Sequence, residues 1–156
     1  MDSQKARAFP VPPSAEILVV EDDADDLELT LRALRKHRLA DRVAVVRDGA
    51  EAIAYLFGTG AYESRAREPK PRVVLLDLNL PRLSGVEVLR RIRTDERTRH
   101  IPVVVLTSSS ESGDLDECYR SGTNSYVVKP VESSEFEKAI ARLGAYWLEL
   151  NRTTSS

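Results

Sequence analysis

The stretch Val73 to Asn79, VVLLDLN, constrains the fold more than any other part of the chain. Four apolar residues lead straight into the carboxylate of Asp77, with Asn79 two places on and Pro81 closing the segment. Such a run reads as a strand buried on both faces, which belongs to a parallel sheet covered by helices. Its acid then lies at the carboxyl end of the strand, the edge where open α/β sheets place their chemistry. The plainer alternative is that Asp77 only caps the turn into the next helix. The other strand ends weigh against that plainer role.

Ile17 to Val20 is a second such run and ends in Glu21, Asp22 and Asp23. Val43 to Val46, Ile101 to Leu106 and Ser125 to Val128 supply three more. Between them Leu27, Leu31 and Leu34, then Ile53, Ala54 and Phe57, then Val88, Leu89 and Ile92 recur at helical spacing. A short helix is expected over about Asp114 to Arg120, and a last amphipathic one from about Ser133 to Leu150, with Phe136, Ile140, Leu143, Trp147 and Leu150 at helical intervals. Because parallel crossovers are right-handed, this alternation predicts a doubly wound α/β fold. It is a five-stranded parallel sheet of flavodoxin-like order 2-1-3-4-5 with helices on both faces. Asp23 suits the cap of the first helix, Asp48-Gly49 opens the second, and Gly58 and Gly60 end it. Thr59 to Arg72 is expected to be an exposed polar loop. Residues 1–14 read as a flexible lead-in, 15–150 as one domain and 151–156 as a fraying tail.

Totals exclude several classes. A net charge of -2 gives no general attraction to nucleic acid or to anionic membranes. Cys118 is the lone cysteine, so neither an internal disulfide nor a thiolate zinc site is available. No run is long enough to span a bilayer and Met1 to Pro13 lacks an apolar signal-peptide core, so a cytoplasmic protein is expected.

Four strand ends carry polar cargo: Glu21 and Asp22 after the first, Asp77 after the third, Thr107 after the fourth and Lys129 after the fifth. In a parallel sheet these ends converge on one edge. Clustered carboxylates repel one another and invite a hard divalent cation, for which Mg²⁺ is the natural choice. An ammonium and a hydroxyl beside them suit the oxygens of a phosphoryl group in flight, which makes Asp77 a candidate nucleophile. A magnesium-dependent phosphatase is the enzyme alternative, but such enzymes commonly use a second acid two residues on, where this chain has Asn79. A flavin or nucleotide module would need a glycine- or hydroxyl-rich loop after the first strand, and EDDAD carries the opposite charge.

VVEDD, LLDLNLPRLSG, VVVLTSS and SYVVKP, in that order, resemble the receiver domains of two-component response regulators, over Ile17 to Leu150. The resemblance implies a stand-alone switch that accepts a phosphoryl group on Asp77 from a sensor histidine kinase and catalyses only its own phosphorylation and dephosphorylation. It implies Mg²⁺ held by Glu21, Asp22, Asp77 and the main-chain carbonyl of Asn79, with Asp22 the likelier direct ligand of the acidic pair and Asp23 one place too far. Thr107 matches the switch hydroxyl, Lys129 the phosphate-binding lysine and Tyr126 the aromatic switch, and the Lys129-Pro130 peptide is cis in relatives. Ser108 departs mildly from the alanine common there. DGAEAIAYLFGTGAY, IPVVVLTSS and AYWLEL further resemble the regulators that partner phytochrome-type histidine kinases, which implies a homodimer through the last strand and helices. Output would pass through the fourth helix, fifth strand and fifth helix to a partner. A pseudo-receiver that is never phosphorylated is the remaining alternative, disfavoured by the complete residue set.

Overall fold

The computed structural model describes residues 15–152; the expected lead-in, residues 1–14, and tail residues 153–156 lie outside the described residues. Strands β1 (Ile17–Val20), β2 (Val43–Val46), β3 (Val73–Leu76), β4 (Val103–Thr107) and β5 (Ser125–Val128) form one sheet, all pairs parallel, in the order β2-β1-β3-β4-β5. Helices α1 (Ala24–Lys36), α2 (Gly49–Phe57), α3 (Gly85–Thr94), α4 (Ser112–Arg120) and α5 (Ser133–Ala145) follow the strands in turn.

Alternation along each central strand divides the core in two. Leu18, Val20, Val74, Leu76 and Val103 pack with Tyr55, Leu56, Leu89 and Ile92 of α2 and α3. Ile17, Val19, Val73, Leu75 and Val104 pack with Leu27, Leu31 and Leu34 of α1 and with Phe136 and Ile140 of α5. Both faces of β1, β3 and β4 are therefore dry, which is why these strands read as continuous apolar runs. The helix starts are set by side-chain caps: Asp23 accepts from the Asp26 N–H, Asp48 from Glu51 and Ser84 from Glu87. Gly58 ends α2 at φ 66°, a left-handed position that glycine adopts without strain.

Two expectations require correction. The segment after α2 is not an open loop throughout: Gly60–Arg65 forms a 3₁₀ helix that buries Tyr62 and Arg65. The Tyr62 ring meets Tyr55 edge-on with centroids 5.3 Å apart, and the Arg65 guanidinium lies 4.0 Å above the Tyr55 ring. Polar composition concealed two side chains whose apolar bodies pack. At the carboxyl end, α5 gives way at Tyr146–Leu150 to a turn of π-helix, closed by the Asn151 N–H on the Tyr146 carbonyl at 2.7 Å. Over the wider turn Trp147 and Leu148 are buried while Leu150 is 71% exposed.

Candidate functional site

Sheet register builds the site. Val20 pairs with both Val46 and Leu76, so Glu21 and Asp77 leave neighbouring strands at one level. The ladder runs one step further, with the Asp77 N–H on the Val20 carbonyl and the Glu21 N–H on the Val46 carbonyl, each at 3.1 Å. On the other side Thr107 pairs with Val128, and the Lys129 N–H donates to the Thr107 carbonyl at 2.7 Å. Lys129 thus emerges beside the acids although a hundred residues separate it from β1.

Its ammonium is shared among three carboxylates. Nζ lies 2.8 Å from Glu21 Oε1, 2.8 Å from Asp26 Oδ2 and 3.4 Å from Asp77 Oδ2. Glu21, Asp77 and the Lys129 side chain are each less than a tenth exposed. Burial works against the Lys129 charge, but the Asp26 and Glu21 carboxylates outweigh it and hold the ammonium above its ordinary range. Glu21 moves the other way from an ordinary ion-paired acid: burial first, then the facing Asp77, push it up to about 7 against the pull of Lys129. The two shifts agree physically, since one ammonium does not neutralise three carboxylates.

Asp77 is fixed from its own strand end. The Asn79 N–H donates to Asp77 Oδ1 at 3.3 Å, and Asn79 itself is exposed. Gly85 opens α3 so close beneath that a Cβ there would stand 2.4 Å from the Asp77 carbonyl oxygen. Asp22 is exposed, with its carbonyl held by Arg47 Nη2 at 2.7 Å. Asp23 caps α1, as its spacing predicts. Thr107 is fully buried and its Oγ1 accepts from the Ser109 N–H at 3.3 Å; the Tyr126 hydroxyl donates to the Ser109 carbonyl at 3.0 Å. Ser109 therefore joins the two expected switch residues.

The Lys129-Pro130 peptide is trans, not the expected cis, since the described residues contain no cis bond. The expectation rested on the lysine having to turn back into the site, and the trans chain accomplishes that turn. Sequence reasoning also missed Asp26, Arg47 and Ser109. Asp26 looked like an ordinary acid of a first helical turn; only its place on the turn nearest the sheet edge hinted at more.

Glu21, Asp22, Asp77 and the Asn79 carbonyl are all hard oxygen donors, and the surplus negative charge around Glu21 suits a divalent cation. Among the described residues no three carboxylate, imidazole or thiolate groups are already arranged to hold one. The donor chemistry fits a divalent cation, and the Lys129 ammonium shares the cluster.

An aspartate at the end of the central strand, with acids, a lysine and a hydroxyl at the same edge, defines a doubly wound α/β protein whose site lies at the carboxyl ends of its strands. Residues 17–141 match the response regulator receiver domain, and the chain belongs to that family. It is 36% identical over 137 residues to the response regulator Rcp1 of Synechocystis sp. (strain ATCC 27184 / PCC 6803 / Kazusa), covering 88% of this chain and 91% of that one. The probable methanogenesis regulatory protein FilR2 of Methanothrix harundinacea (strain 6Ac) is 40% identical over 137 residues, 88% of this chain and 86% of its own. Among solved structures, the bacteriophytochrome response regulator AtBRR is 52% identical with a TM-score of 0.70, covering 90% of this chain and 100% of that chain. The phosphorylated cyanobacterial phytochrome response regulator RcpA superposes with a TM-score of 0.82 at 35% identity, over 91% and 99% of the two chains. The Mn²⁺-bound form of Rcp1 gives 0.81 at 34% identity, over 89% and 98%. The chain is a receiver close to the phytochrome-associated regulators.

Proposed function

We propose that this receiver accepts a phosphoryl group on Asp77 from a phytochrome-type sensor histidine kinase, in a Mg²⁺-dependent reaction in the cytoplasm. The observation that carries the reading is the Lys129 ammonium gathered among Glu21, Asp26 and Asp77 at one sheet edge. An Asp77 carboxylate oxygen attacks phosphorus, the phosphorus–nitrogen bond of the kinase phosphohistidine breaks, and the imidazole keeps its electron pair. Glu21, Asp22, Asp77 and the Asn79 carbonyl would hold Mg²⁺, which supplies charge neutralisation for the transferring group. Lys129 moves from its carboxylates to a phosphoryl oxygen, and Thr107 offers its hydroxyl to another. Releasing the Ser109 N–H from Thr107 frees the segment that Tyr126 holds, so the change reaches α4 and β5.

Output passes through the face of α4, β5 and α5 to a partner protein, and a second copy of this chain is a candidate occupant. Leu115, Tyr119 and Val128 expose apolar surface on α4 and β5, as do Tyr146 and Leu150 beyond α5. No helix among the described residues is long and apolar enough to cross a membrane.

Incubation with acetyl phosphate and Mg²⁺ followed by intact mass tests the chemistry. Wild type gains one phosphoryl group, and Asp77→Asn gains none; a stable gain in the variant would place the acceptor elsewhere. Phosphotransfer from a phytochrome-type kinase, compared with an unrelated histidine kinase, tests the partner. Sedimentation at micromolar concentration tests self-association.

A further inference from the structure

The phosphate-binding lysine is held back by an acid outside the expected set. Both of its 2.8 Å contacts go to carboxylates other than the phosphoacceptor, and Asp77 is the most distant of the three at 3.4 Å. A cation drawn to the pocket would engage Glu21 and release its share of the ammonium. Asp26 is not among the cation's donors, so it alone keeps competing with a phosphoryl oxygen for Lys129.

Resting on the phosphoacceptor reading, we propose that Asp26 is a positioning residue that restrains Lys129 and weakens the capture of a phosphoryl group at Asp77. The plainer role, an acid in the first turn favoured by the helix dipole, is filled equally by Asp25, which is exposed. The Asp26 carboxylate crosses from α1 to the lysine, and its side chain is about a third exposed at 32%. Its main-chain duties are separate. The Asp26 N–H is capped by Asp23 at 2.9 Å and its carbonyl accepts from the Thr30 hydroxyl at 2.9 Å, so a side-chain substitution leaves both in place.

The test is calorimetric titration with beryllofluoride, a phosphoryl mimic, at saturating Mg²⁺, on wild type, Asp26→Asn, Asp26→Ser and Asp25→Asn. Removing one charge-assisted partner from a partly exposed site is expected to tighten binding by about threefold to tenfold in both Asp26 variants. Asp25→Asn makes the same change in net charge one residue away and is expected to stay within about twofold of wild type. In a Lys129→Met background, Asp26→Asn is expected to add nothing, because the residues act as a pair. Unchanged or weaker binding in the Asp26 variants, an equal gain in Asp25→Asn, or a gain that persists without the lysine would each overturn the inference while leaving the phosphoacceptor reading intact. A wild-type protein that neither binds beryllofluoride nor gains mass from acetyl phosphate would overturn both.

Discussion

The guanidinium of Arg47 lies against the main chain of Glu21, with Nε donating to the Glu21 carbonyl at 3.0 Å while Nη2 reaches the next carbonyl, that of Asp22, at 2.7 Å. A residue from the end of β2 thereby fixes the direction in which both acids leave β1. Lysine keeps the charge but presents no rigid fork. Arg47→Lys is expected to lower Mg²⁺ affinity by about threefold and to cost under about 1 kcal/mol of stability, since the pair of bonds is partly solvated. Calorimetric Mg²⁺ titration and urea unfolding read the two effects; an unaltered Mg²⁺ affinity would remove Arg47 from the account.

Glu21 is expected to tie the stability of the metal-free protein to pH. Its carboxyl, raised from 4.5 to about 7 by burial and by Asp77, binds a proton more readily in the folded chain than in the unfolded one. Stability from this group is therefore fully present below about pH 4.5 and falls as pH rises to about 7, by at most ~3 kcal/mol. Denaturant midpoints measured in chelator between those limits should decline for wild type relative to Glu21→Gln, whose amide has nothing to lose. Parallel curves for the two proteins would show that Glu21 titrates normally.

The 3₁₀ segment after α2 is anchored in part by a charge-assisted bond from the Tyr62 hydroxyl to Glu51 Oε2 at 2.5 Å. The other oxygen of Glu51 accepts from the Arg47 N–H at 3.0 Å. Tyr62→Phe is expected to cost about 1–2 kcal/mol and to raise amide exchange over Gly60–Arg65. Tyr62→Ala, which also removes the ring packed on Tyr55, should cost about 3 kcal/mol or more. Equal stabilities for the Phe and Ala variants would show that the ring contributes nothing.

Thr107 and Tyr126 both hydrogen-bond to the main chain of Ser109. Thr107→Ala is expected to leave the fold intact but to uncouple Tyr126, so that its ring resonances no longer shift when beryllofluoride and Mg²⁺ are added. Wild type should show the shift. Retention of it in the variant would mean that the aromatic responds by another route.

Gly85 meets the carbonyl of Asp77 at a distance that forbids any side chain, with a Cβ there 2.4 Å from the oxygen and 2.7 Å from Leu78 Cα. Gly85→Ala must move either α3 or Asp77. It is expected to cost about 2 kcal/mol or more and to slow labelling by acetyl phosphate. Thermal unfolding together with the labelling rate tests it, and wild-type values for both would contradict the close approach.

Sequence alone determined the layers and the order of the sheet, because strands buried on both faces leave unbroken apolar runs and right-handed crossovers permit few arrangements. It also located Glu21, Asp77, Thr107 and Lys129, since each directly follows such a run and parallel strands bring their ends together. Only tertiary structure decided what those groups hold. The contacts of Asp26, Arg47 and Ser109 span from two residues to more than a hundred along the chain, and it is the packed sheet edge that gives each its partner. The burial of Tyr62 and the π turn at Tyr146–Leu150 escaped for a related reason: both depend on which surface was left uncovered after the sheet and helices had packed.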